Sequence, residues 1–377
     1  MRRLILFALI FVSTEALCQS QRAEHSHEIA SKHLNEDRVI NVSVPADYSS
    51  DDDAFPTLYV LDGEWIFDFA AGTVALMSND SIGHIPNMLV VGIPNTDRAR
   101  DLSVTLDTND GYENFLKFIE LEVMPLVDRE YRTSGFDLFY GWSSGSAICG
   151  QLMARRPMLF DAYLQSGAGI GPKSSAFLAE RLPKHSYENQ FLYVNSEGGG
   201  PRADGLRRYS ELIESLKPEG LRWKFEVLEE STHLEVLPEG LEAGLAFVFA
   251  DFHVPETVAR SGSKAVITYL EEVRSHFNFD VPIPQGAFVE TASVMLHNGS
   301  LDEAVSLLQH AAELYPESAV MVGALGEVYA HGEKYHLAAE AFELAMQKAG
   351  NNRTLYLQNR VMHTKMSGQA LIRRQND

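Results

Sequence analysis

Three segments of this chain carry, in order, a serine, a carboxylate and a histidine, the residue types that acyl transfer through a covalent intermediate requires. The first is Gly141-Trp142-Ser143-Ser144-Gly145, directly after the apolar run Phe136–Tyr140. G-x-S-x-G is weak as a bare pattern, but here it falls at a strand-to-helix junction, where a sharp turn lifts a serine above a sheet edge. Glycine at 141 and 145 is expected because a side chain at either would meet neighbouring backbone. Small residues continue at Ser146, Ala147 and Gly150, letting the following helix approach the sheet. The competing account is a helix-capping serine after a glycine-rich turn.

A serine hydroxyl is barely acidic near neutral pH, so Ser143 needs a general base within about 3 Å. His233, in Glu229-Glu230-Ser231-Thr232-His233, follows the run Trp223–Val227, where a loop at the carboxyl edge of the last strand would hold it. His185 comes too early, and histidines 253, 276, 297, 310, 331, 336 and 363 come too late. Glu197, which ends Asn195-Ser196-Glu197 and precedes three glycines, is placed to orient the imidazole; Asp204 is the alternative, though helix capping also accounts for it. The oxyanion of a tetrahedral intermediate needs two donors. The Ser144 N–H is one, and Gly63 or Glu64, after the run Thr57–Leu61, is the other. Trp65, Phe67 and Trp142 are candidates to line an acyl or leaving-group pocket.

These residues need a sheet to hold them. Arg38–Val44 alternates as a strand. The runs 55–61, 88–93, 136–140, 160–164 and 191–194 are apolar without alternation, the pattern of strands buried on both faces. Tyr112–Val127 and Leu206–Leu216 carry apolar residues at helical spacing. Strands alternating with helices over 39–252 predict a mostly parallel sheet covered by helices, and the order serine, acid, histidine with the elbow makes the α/β-hydrolase fold the type expected. The expected boundaries are a hydrolase domain over 21–252, a helical connector over 253–283, helical repeats over 284–350 and a tail over 351–377. Gly299–Ala304 is echoed at Gly332–Ala338, a spacing of about 34 residues that is tetratricopeptide-like. Two such units fall short of the usual three, so other structure should cover an exposed end.

At the other end of the chain, Met1-Arg2-Arg3 precedes the apolar run Leu4–Val12 and then polar and small residues, which reads as a signal peptide over 1–20 and predicts export to the periplasm or medium. The run is about half of a bilayer span, and no other segment nears ~20 apolar residues, so no stable membrane insertion is expected. Glu15 stands where a lipoprotein signal would have leucine before Cys18. Cys149 is then without an intrachain partner and reads as a buried thiol. With 52 acidic against 31 basic residues the net charge is −21, which disfavours nucleic acid and anionic lipid as partners. No H-E-x-x-H, cysteine cluster or phosphate-cradling loop calls for a metal or other cofactor.

Taken together, Thr57–Gly63, Gly92–Leu102, Glu122–Pro125, the Gly141–Gly145 elbow and Ser231-Thr232-His233 resemble the putative esterase family of α/β-hydrolases. That family includes the enterochelin and bacillibactin esterases and is related to esterase D. The resemblance covers roughly residues 38 to 252 and extends to a branch with a tetratricopeptide-like tail. It implies a serine esterase with Ser143, Glu197 and His233 as its triad, no cofactor, and Asp62 and Gly63 in the loop on the oxyanion side. Arg98, Arg100 and Asp101 match an arginine-aspartate loop beside the site. In siderophore esterases basic residues help hold an anionic ligand, which implies substrate binding by Arg98; a solvent-facing Arg98 and a structural Arg100–Asp101 pair would equally suit the chemistry. Two departures bear on the substrate subgroup: Ser146 follows Gly145, and Asn195-Ser196 precedes the acid. The function expected is hydrolysis of a small-molecule ester, with a siderophore-type ester as one candidate. Acyl transfer on the same fold and a binding role through the helical repeats, including self-association or a protein partner, are the alternatives.

Overall fold

In a computed structural model of the chain, residues 23–45, 48, 54–102, 110–277 and 281–376 are described. The signal-peptide expectation for 1–20 lies outside them. Eight strands, β1 (Ala23–Ser31), β2 (Glu36–Val44), β3 (Phe55–Leu61), β4 (Leu89–Ile93), β5 (Thr133–Trp142), β6 (Ala162–Ser166), β7 (Gln190–Glu197) and β8 (Leu221–Leu228), form one sheet in the order β1-β2-β4-β3-β5-β6-β7-β8. β1 pairs with β2, and β2 with β4, antiparallel; the remaining pairings are parallel. Strands β3, β4 and β6 are buried along their whole length, which explains their unbroken apolar sequences.

The chain leaves β3 toward β4 on one side and later places β5 on the other. β3 and β5 therefore flank the switch point at which open α/β sheets form their crevice. The carboxyl ends of these two strands carry Asp62-Gly63 and the Ser143 turn. Helices Gly63–Met77 and Ser144–Arg155 start there. Beneath them Tyr59, Phe139, Phe160 and Tyr163 are fully buried, with Phe139 and Phe160 stacked at 4.6 Å between centroids. Burial of this kind stabilises by roughly 1.5–3 kcal/mol per large side chain.

Three elements differ from expectation. β1 has no counterpart in the sequence reading, because this edge strand is mostly exposed and so shows no apolar pattern. The expected helix 112–127 is helix Asp110–Phe118, a π turn Ile119–Val123 and helix Met124–Glu130; Pro125, without an N–H, sits just beyond the wider turn. The helix expected from 206 begins at Gly200, since Gly200, Pro201 and Arg202 carry no apolar period.

Two compact units divide the chain: one takes the described residues through Pro255 together with Ile267–Ala287, the other Glu256–Val266 together with Phe288 onward. Helices Leu301–Leu314, Ala319–His331, Tyr335–Lys348 and Arg353–Asn376 lie in the latter. Ala304 and Ala338 are both fully buried. Gly326 lets its helix approach Phe342, whose ring would lie 3.0 Å from an added Cβ. Among the described residues no helix is long and apolar enough to cross a membrane.

Candidate active site

Ser143 occupies the turn between β5 and helix Ser144–Arg155 with φ 56° and ψ −114°, a backbone state rare for a residue with a side chain. Several contacts hold it there. The Ser143 N–H donates to the Ser166 carbonyl at 2.9 Å, and the Ser146 hydroxyl donates to the Ser143 carbonyl at 2.5 Å. A Cβ at Gly141 would sit 2.4 Å from the Gly145 carbonyl oxygen, so that glycine is obligatory. The reason for Gly145 differs from expectation: an added Cβ there would press on the Leu61 side chain at 3.3 Å, not on backbone.

His233 lies between β8 and helix Val236–Val248, with Nε2 3.0 Å from Ser143 Oγ. Its Nδ1 is 3.2 Å from each oxygen of Glu197, at the end of β7. An ionised carboxylate only accepts hydrogen bonds, so Nδ1 carries the ring proton and Nε2 is left to accept from the serine hydroxyl. Burial alone would raise the Glu197 carboxyl, but its backbone hydrogen bond, the His233 side chain and the Arg202 charge outweigh this and hold it below its ordinary value. Arg202 Nη1 donates to Glu197 Oε1 at 3.1 Å. The sequence reading did not anticipate this partner, although its position five residues after the acid on a helix start was available. Asp204 is elsewhere: it is exposed and pairs with Arg207 at 2.7 Å.

The walls around the imidazole are specific. Trp142 stacks on it, with centroids 4.6 Å apart and planes 29° apart, and donates from Nε1 to the His233 carbonyl at 2.9 Å. At the ring's edge, Gly167 leaves the space that a side chain would fill, since its Cβ would lie 2.7 Å from His233 Cε1 and 3.4 Å from Trp142 Nε1. Asn195 is fully buried; it accepts from the Gly167 N–H and donates to the Val236 carbonyl, both at 3.3 Å, and so joins the ends of β6 and β7 to the helix after His233. The departure at this position therefore has a structural role.

Trp65 is 46% exposed and meets Trp142 edge-on at 5.2 Å. Phe67 is buried and packs over Gly92, where a Cβ would come within 2.8 Å of its ring, and it also lines a cavity with Gly63, Glu64 and Trp65. The Trp65 and Ile66 N–H groups donate to the Asp62 carbonyl, which leaves those of Gly63 and Glu64 at the open start of that helix. The Ser144 N–H begins the helix that follows Ser143. Two helix N-termini of partial positive charge thus meet at one place, an arrangement suited to a developing anion.

Arg98 is held by Asp62, with Nε–Oδ1 2.7 Å and Nη2–Oδ2 3.0 Å, and its Nη1 is 3.3 Å from Ser144 Oγ. Arg100 and Asp101 do form a pair, at 2.7 Å, within a larger cluster with Arg38 and Glu36. The Arg100 hydrogen bond and the other cationic and hydroxyl donors outweigh burial and lower the Glu36 carboxyl to about 2. Cys149 is fully buried, and burial pushes its thiol up, as suits an inert core residue.

Residues 31–190 match the model of a family described as "Putative esterase". No curated protein matches the chain. Among solved structures, an IroE-like serine hydrolase from Shewanella oneidensis is similar at 24% identity and TM-score 0.66, covering 78% of this chain and 100% of that one. An uncharacterised protein from Capnocytophaga ochracea is 16% identical, with TM-score 0.62 over 92% of this chain and 100% of its own. A siderophore hydrolase, EstB, from Aspergillus nidulans is 20% identical, with TM-score 0.52 over 62% and 96%.

Proposed function

We propose that the chain is a carboxylic ester hydrolase, a reading supported by the match of residues 31–190 to a family described as "Putative esterase", and that it works through Ser143 as nucleophile, His233 as general base and Glu197 as the group that orients and charge-balances the imidazole. The observation that carries this reading is the continuous line from Ser143 Oγ through both ring nitrogens of His233 to Glu197, at 3.0 and 3.2 Å.

In the proposed cycle His233 Nε2 takes the Ser143 proton as Oγ attacks the ester carbonyl carbon. The carbonyl oxygen becomes an oxyanion between the Ser144 N–H and that of Gly63 or Glu64. Collapse expels the alkoxide, which receives the proton from His233, and leaves Ser143 acylated. Water then loses a proton to the same nitrogen, attacks the acyl carbon and releases the acid, and Ser143 regains its proton. Ionised Glu197 stabilises the imidazolium in both halves. Trp65 and Trp142 line the approach, and the acyl or alcohol part of the substrate lies against their faces.

For substrate we propose a small-molecule ester and name a siderophore-type ester as the first to assay, following the family resemblance. The 34-residue recurrence of the buried Ala304 and Ala338 supports reading the second unit as a tetratricopeptide-like pair, and the sequence of residues 1–20 supports export. Purified protein and its S143A form, given short acyl esters and a catecholate triester, test the chemistry. Turnover by the native protein alone, with an organophosphonate bound covalently at Ser143, is the expected result. Equal turnover by both forms would overturn it.

A further inference from the structure

Asp62 is a fully buried carboxylate at the end of β3, and its backbone is left-handed at φ 54°, ψ 39° although it is not glycine. A buried charge is costly unless it is paired and hydrogen-bonded. This one accepts both hydrogen bonds of a bidentate arginine, Arg98, and a third from Asn95 Nδ2 at 2.7 Å. The same carboxylate lies against the nucleophile's helix, since a Cβ at Gly145 would be 3.7 Å from Asp62 Oδ2. Arg98 completes the connection by donating from Nη1 to Ser144 Oγ at 3.3 Å. On the far side, Glu64 accepts the Asn95 N–H at 3.0 Å. The ends of β3 and β4 and the first turn after Ser143 are therefore tied into one polar cluster.

The two segments joined in this way each supply an oxyanion donor. Asp62 immediately precedes Gly63 and Glu64, and its unusual backbone angles set the direction in which their N–H groups point. Ser144 carries the other donor on its own backbone. We propose that Arg98 is a positioning residue which, by bridging the Asp62 carboxylate and the Ser144 hydroxyl, fixes the separation of the two N–H donors that receive the oxyanion. This rests on the reading of Ser143 as nucleophile. It departs from the expectation that Arg98 holds an anionic substrate: three of its five N–H donors already have acceptors within the protein, and its charge is balanced by a fixed carboxylate. A substrate anion would meet a guanidinium whose charge the Asp62 carboxylate already neutralises.

The test uses the full chain, the variant R98K, and the double variant D62N/R98M, which removes both charges together and leaves neither buried alone. Each is assayed with a neutral short acyl ester and with an ester carrying a second, anionic carboxylate. Inhibition by a trifluoromethyl ketone, whose serine adduct places an oxyanion in the hole, is measured alongside. Positioning predicts that R98K loses kcat for the neutral ester by about 10- to 100-fold, less than deletion of an oxyanion donor, with KM within about twofold. Affinity for the ketone falls by the same factor, and the double variant, still folded by its melting curve, shows the same losses. A role confined to folding would not move ketone affinity and kcat together in a folded variant, so that result would overturn the proposal. So would unchanged kcat on the neutral ester, or a loss limited to KM for the anionic one. If S143A turned over as fast as the native protein, the nucleophile reading itself would fall; an inactive S143A beside a fully active R98K would remove only the positioning role.

Discussion

The indole of Trp142 lies flat on the imidazole of His233, 4.6 Å between centroids, and bonds through Nε1 to the carbonyl of the same histidine. One residue of the elbow, adjacent to Ser143, thus fixes both the ring and the backbone of its partner 91 positions later. Replacing Trp142 by Phe keeps a stacking surface and removes the hydrogen bond; alanine removes both. The hydrogen bond and the aromatic contact each contribute about 0.5–1.5 kcal/mol, so W142F should lower kcat/KM by roughly 2- to 10-fold and W142A, which loses both, by more. Steady-state kinetics on a short acyl ester check the order of the two.

Gly167 has φ 61° and lies at the edge of the imidazole, where a Cβ would approach Cε1 to 2.7 Å. G167A should displace the ring from Ser143 while leaving the sheet intact. Misplacement by about 1 Å can cost on the order of 100-fold in rate. The expected outcome is that loss in kcat together with slower labelling by an organophosphonate. Native kinetics in G167A would show that the ring has freedom the geometry denies it.

Glu197 is held below its ordinary value, so it remains ionised as pH falls through the range where a free glutamate begins to protonate. E197Q should lower kcat by about 10,000-fold, the order expected when the acid of a Ser-His-acid triad is neutralised. R202A, which removes only a half-exposed partner of Glu197, should cost about tenfold or less.

Asp161 is raised to about 6, chiefly by burial, and its Oδ2 accepts the N–H of Asp137, a second buried carboxyl that burial and the Asp161 charge also raise. A carboxyl raised by folding favours the folded state while protonated. That contribution is full below the unfolded value near 4 and is lost as pH rises through about 6. D161N keeps an acceptor for the Asp137 N–H and cannot ionise. Its melting temperature should therefore change less than that of the native protein between pH 4 and 6, with a gain above pH 6 of about 1–2 kcal/mol. Parallel melting curves for the two proteins would count against it.

Much of the fold was legible because burial on both faces leaves unbroken apolar runs, and β3, β4 and β6 are such strands. The exposed β1 left no comparable trace, and the packing of Phe67 on Gly92 was not legible from its apolar character alone.

The chain's own order of residues determined that a serine at a strand-to-helix turn would precede an acid and a histidine, since the elbow is local chemistry set by glycines within two residues of Ser143. What only the tertiary structure decided were distances between residues far apart in sequence: Glu197 and not Asp204 beside His233, Trp142 against the imidazole, and Arg98 on the buried Asp62. Local pattern encodes backbone state and burial, whereas these pairings depend on which strand ends become neighbours at the switch point, and sheet order is a property of the whole folded unit.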